Sequence, residues 1–161
     1  MFSISAPGLP QLAARFDQLP AQVQAALSAK AAELAEALRA HVADDKLSGQ
    51  VLKVRSGALR ASIGAEVSLD GDAVAVRVFS AGDIKYAAIQ ELGGRTPPHD
   101  IVPTKARALA FLAGGKTVFA KIVHHPGSQI PARSYLGSAL ADMADEITDG
   151  LQAAVVEALG Q

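Results

Sequence analysis

Cysteine is absent from this chain. That excludes disulfides, thiolate metal sites and a cysteine nucleophile, and it fits a protein made in a reducing cytosol. Tryptophan is absent too, and aromatic residues make up only 4% of 161. Few rings are therefore free to stack on nucleobases, which counts against single-strand nucleic-acid recognition. Neither sign of charge dominates: 15 basic and 16 acidic side chains leave a formal net charge of −1. A protein that grips phosphate backbones usually has a basic excess. No run reaches the ~18 continuous apolar residues of a membrane span. The opening "MFSISAPGLP" lacks the charged start and apolar stretch of a signal peptide.

Half of the residues are apolar, mostly Ala, Leu and Val, which predicts closely packed elements. The length predicts a single domain over residues 1–161. An N-terminal arm is expected over 1–19, with long loops at about 94–106 and 124–134.

From Pro20 to about Asp44, Val23, Leu27, Ala31, Leu34, Leu38 and Val42 make one apolar stripe, the mark of an amphipathic helix. Pro20 suits its first turn, and "LPQLAARFDQL" predicts a shorter helix before it. At the other end, Ser134 to Leu159 aligns Leu136, Leu140, Met143, Ile147, Leu151, Val155 and Leu159. Ser134 is the expected N-cap. Gly137 and Gly150 predict a bend or close packing. Between these helices "SGALRASI" reads as a short helical turn. "AEVSLDGDAVAVRVF" alternates with period two around Asp70-Gly71-Asp72, a hairpin pattern. "RALAFLAGGKTVFAKIVHH" predicts a second hairpin around Gly114-Gly115, with Val118, Phe119, Ile122 and Val123 on its return arm. "YAAIQELGG" predicts a short helix ended by Gly93-Gly94, and Pro97-Pro98 an extended segment after it. The expected fold class is α+β: a mostly antiparallel sheet from two hairpins, with long N- and C-terminal helices packed on one face.

Little of this pattern points to catalysis. His99, Asp100, His124 and His125 are the residue types of a metal site, but adjacent histidines on a strand face opposite ways. His41 near a helix end reads as solvated or capping. No nucleophile elbow, P-loop or calcium loop occurs. Asp142, Asp145, Glu146 and Asp149 include like-charge i,i+4 pairs. Such pairs mildly destabilise a helix, so they read either as a solvated face or as partners for basic groups of a neighbouring subunit.

"RSGALRASI", "KYAAIQELGG" and "ALAFLAGGKTVFAKIVHHPGSQIPARSYLGSAL" occur in this order. Together they resemble the tail-completion, or neck, proteins that join head to tail in long-tailed phages and phage-like gene-transfer particles. The likeness spans roughly residues 20–160. Carried over position by position, it singles out Leu59, Arg60, Tyr86, Glu91, Gly93, Pro126, Gly127, Pro131, Arg133 and Leu136. Ser134 stands where that family often has a second proline. The resemblance implies a structural virion component with no enzymatic activity, no cofactor and no metal. It implies a ring of roughly six or twelve copies around the DNA channel, closed by self-contacts. Its neighbours would be the head connector or adaptor and the tail terminator or tail tube, with DNA passing through unread. The protein would be made in the host bacterial cytoplasm, from a phage or a prophage, and end in the virion neck. Tyr86 is expected as a large anchor with a polar tip, and Glu91 to meet Arg60 or Arg133. The alternatives are a tail terminator, another virion morphogenesis protein, or a small metal-dependent hydrolase.

Overall fold

The computed structural model describes residues 9–70, 73–82 and 84–160; for residues 9–19 and Asp70 only the backbone is described. The class is α+β, with five α-helices and eight short strands among the described residues. The chain forms two compact units.

The first unit comprises residues 1–87 and 134–161. Helix α1 (Leu9–Ala40) runs on without a break into a π-helical stretch, His41–Gln50. Pro20 therefore lies inside the helix rather than in its first turn, because the upstream segment is helical and merges with it. Proline has no N–H, so one i→i−4 hydrogen bond is missing at that point. The predicted stripe is present: Ala31, Leu34, Leu38 and Val42 are buried. The helix does not stop near Asp44. It widens, with the Val51 amide reaching the Lys46 carbonyl at 3.1 Å, an i→i−5 bond. The wider turn places Leu47 in the core beside Val42. Gly49, at φ 128°, ends it.

Helix α2 (Ala58–Ala61) buries Leu59. It leads into β1 (Ile63–Asp70), antiparallel to β2 (Ala73–Ser80). Val67 faces Val76 and Leu69 faces Val74, so the two predicted apolar sets share one face. The expected turn residues Gly71 and Asp72 lie outside the described residues. Helix α1 packs along both strands and against α5.

The predicted C-terminal helix is two helices, α4 (Tyr135–Asp142) and α5 (Ala144–Gly160), broken at Met143, where φ is −100° and ψ 5°. The bend thus falls at neither glycine. Gly150 does mark close packing: a Cβ there would sit 3.1 Å from Lys30 Cε and 3.5 Å from Leu34 Cδ1. Ser134 makes no capping side-chain bond, because it adopts the left-handed conformation at φ 41°. That geometry turns the chain so that Tyr135 enters the core. Tyr135 is 1% exposed and clusters with Leu38, Val42, Leu59, Ile63 and Met143.

The second unit is Ala88–Arg133. Most of helix α3 (Ala87–Leu92) lies in it. Beyond the helix, β3 (Gly94–Arg95) pairs with β8 (Gln129–Ile130), β4 (His99–Ile101) with β7 (Val123–His125), and β5 (Leu109–Ala113) with β6 (Lys116–Ala120), all antiparallel. Gly94↔Ile130 and His99↔His125 keep one register. They are one ladder interrupted by Pro97, Pro98 and Pro126, which cannot donate to it. The expected loops at 94–106 and 124–134 are therefore largely the two arms of a ribbon. The two predicted hairpins are both present, each its own two-stranded sheet, but the return arm of the second ends at Ala120: Ile122 lies beyond it, and Val123 belongs to β7, opposite Ile101.

Tyr135→Ala should cost about 3–5 kcal/mol by emptying the centre of the helical core. Tyr135→Phe should cost far less, about 1 kcal/mol, since it keeps the ring in the core and removes the long 3.4 Å bond from its Oη to the Ala87 carbonyl. Urea unfolding of the two variants measures both.

Candidate functional site

The residues singled out in the sequence divide into those that shape the chain and those that present a surface. Gly93 ends α3 in the left-handed region at φ 72°, its amide bonding to the Ile89 carbonyl at 3.0 Å. The backbone of the returning arm crowds it: a Cβ would lie 2.7 Å from the Ala132 nitrogen and 3.0 Å from the Ile130 oxygen. Gly127, at φ 84°, is tighter, and a Cβ there would overlap the Thr96 carbonyl. Both positions combine positive φ with close backbone approach, and only glycine meets both demands. Around Gly127 the two arms are cross-bonded: the Thr96 amide donates to the Ser128 carbonyl at 2.9 Å, and the Ser128 amide to Thr96 Oγ1 at 2.8 Å. Arg133 closes the base of the ribbon, its amide bonding to the Gln90 carbonyl at 2.8 Å. Pro126 and Pro131 are exposed on the returning arm.

In the first unit Leu59 is a core residue. Leu136 lines an apolar cleft of about 480 Å³, with Leu34, Leu38, Val78, Leu140 and Leu151 also on its walls. Arg60 is not directed to Glu91; its guanidinium bonds to Asp44 at 2.5 Å. Glu91 is half-buried. Tyr86 is exposed and is not the anchor expected of it. Tyr135 fills that role, because the left-handed turn at Ser134 directs the later tyrosine inward.

The surface the sequence reading passed over is the β5–β6 hairpin. Its two-residue turn is Gly114-Gly115, with φ 58° and 78°, a turn whose twist matches that of the strands. Phe111 faces Val118, and on the other side Leu112 and Phe119 face Thr117 and Ala110. Leu112 is 78% exposed and Phe119 71%. Phe111, Val118 and the nearby Ile122 are also exposed. The sequence held the signal: Phe111-Leu112 and Val118-Phe119 put apolar groups on both faces of one hairpin. A ribbon covered on one side by its own core keeps its other face polar. Apolar groups exposed on both faces make this hairpin the candidate interaction surface.

The histidines do not converge. His99 and His125 stack on each other with ring centroids 5.0 Å apart, while His124 Nδ1 meets Asp100 at 2.5 Å. Among the described residues no group of three or more His, Cys, Asp or Glu side chains is arranged to hold a metal ion. His41 is neither solvated nor a cap. Its Nδ1 meets Asp45 at 2.6 Å and its Nε2 meets Asp142 at 3.2 Å, and Lys46 Nζ also bonds to Asp142 at 2.5 Å. Asp45, then Asp142, holds the His41 imidazolium above its ordinary pKa. Lys46, then His41, holds the Asp142 carboxyl below its ordinary value. The cluster ties the π-helical turn to the end of α4.

No helix among the described residues is long and apolar enough to cross a membrane. Compared with protein-family models, curated proteins and solved structures, the chain matches none.

Two outcomes follow from this geometry. Gly127→Ala should destabilise by more than about 1 kcal/mol, well beyond the gain from a stiffer unfolded chain, and urea titration reads it. The His41 contribution is fully present below about pH 6.5 and lost as pH rises through its raised folded value. The Asp142 contribution is present above about pH 3.9 and lost as pH falls through its depressed folded value. The urea midpoint should therefore fall as pH rises from about 6 through the raised folded value of His41. His41→Gln should flatten that slope.

Proposed function

We propose that this chain is a structural virion component of the head–tail junction, a tail-completion or neck subunit that assembles as a ring. The observation that carries the assembly reading is the β5–β6 hairpin, apolar and exposed on both faces. A free hairpin of this kind is a liability in a protein that works alone. It suits a subunit whose neighbours cover it. The resemblance to neck proteins supplies the kind of assembly. Its motif positions Gly93, Gly127 and Leu59 have physical reasons here: the first two let the ribbon arms close, and the third packs the helical core. The near-neutral net charge of −1 suits a ring that lets DNA pass without holding it.

Electron microscopy of particles carrying an epitope on this chain tests the reading. Label in a ring at the neck is the expected result, and particles without the chain would overturn it. Leu112→Ser with Phe119→Ser should keep the native circular dichroism and thermal midpoint within a few degrees, since both side chains are exposed. The same variant should fail to enter particles.

A further inference from the structure

Resting on the assembly reading above, we propose that the β5–β6 hairpin of one copy docks on the outward face of α5 of a second copy. Each chain then gives one hairpin and receives one.

Charge is sharply segregated along the sequence. Residues 101–141 contain Lys105, Arg107, Lys116, Lys121 and Arg133 and no acid. Residues 142–161 contain Asp142, Asp145, Glu146, Asp149 and Glu157 and no base. Asp142 is bonded to Lys46 and His41. Among the described residues neither Asp145, Glu146, Asp149 and Glu157 nor Lys105, Arg107, Lys116 and Lys121 form any ion pair. Two unpaired surfaces of opposite sign thus lie on one molecule, and complementary charge sets the register and suppresses wrong partners in protein association.

Both surfaces also carry exposed apolar groups. Ile147 and Leu151 line the cleft of their own unit. At 3.6 residues per turn, Asp145, Asp149 and Val156 lie on the opposite side of α5. Val156 is 70% exposed, and Leu159 near the helix end is 53% exposed. They would meet Leu112 and Phe119. Lys121 lies two residues beyond Phe119, which in an extended arm continues the face of Leu112 and Phe119, and Lys116 sits at the turn end of the same arm, opposite Ala113. Asp145 and Asp149 repel each other on a free helix, and lysines from a neighbour would relieve that repulsion. Because the donating and receiving surfaces differ, the contact is head-to-tail, the kind that closes into rings.

The chain has no cysteine, so single cysteines can be placed as probes. Purified Phe119→Cys and Val156→Cys proteins are concentrated at low salt, mixed, and treated with a short bismaleimide. The mixture should give a two-chain product that neither variant gives alone, and the double variant should give a ladder of oligomers. Lys116→Glu with Lys121→Glu should lower the yield about tenfold. Partners carrying Asp145→Lys and Asp149→Lys should restore it. No mixed product overturns the proposal, as does a double variant that closes within one chain. Dimers of Phe119→Cys alone would show hairpin against hairpin and also overturn it. The same products with the chain missing from particles would keep this interface and remove the neck reading. A chain present in the neck without the mixed product would do the reverse.

Discussion

The chain leaves its helical unit at Ala87 and returns at Ser134, and one buried side chain secures both points. Tyr135 is nearly inaccessible, and its hydroxyl donates to the Ala87 carbonyl. Ser134 accepts a left-handed backbone to direct it there. Such conformations cost roughly 1–3 kcal/mol and persist only when the surroundings enforce them. Burial of a large aromatic in the middle of the core is of the size needed to enforce this one. With the two crossing points fixed, everything from Ala88 to Arg133 is free to be built as an insertion.

The insertion is held by backbone rather than by a core. Its rungs are two to five residues long, its arms meet through Thr96, Ser128, Gln90 and Arg133, and Gly93 and Gly127 stand where a side chain would strike backbone. A ribbon of this kind buries little apolar surface by itself. An isolated two-stranded hairpin is at best marginally stable in water, and this one displays Phe119 and Leu112 to solvent. The helical unit carries the buried core; the ribbon carries the exposed apolar side chains.

Much of the helical unit was legible in the sequence. The α1 stripe and the β1–β2 alternation were each carried by a strong local period. The hairpin at Gly114-Gly115 was legible from its paired glycines and β-favouring side chains, and the α3 stop from Gly93-Gly94. What escaped was non-local. The rungs pairing His99 with His125 join residues far apart in the chain, in pieces too short and too broken by proline for alternation to show. The widened turn after His41 depends on packing around Val42 and Leu47, which outweighs the local signals. The choice of Tyr135 over Tyr86 as anchor depends on one backbone angle at Ser134. The use of Arg60 on Asp44 depends on where the π-helical turn places that carboxylate.

Amide hydrogen exchange, compared between the free chain and intact particles, tests most directly whether the exposed hairpin is an assembly surface. The account predicts rapid exchange at the outward-facing amides of residues 109–120 in the free protein and strong protection of the same amides in particles, while the α1 core stays protected in both. Equal exchange of the hairpin in the two states would contradict it.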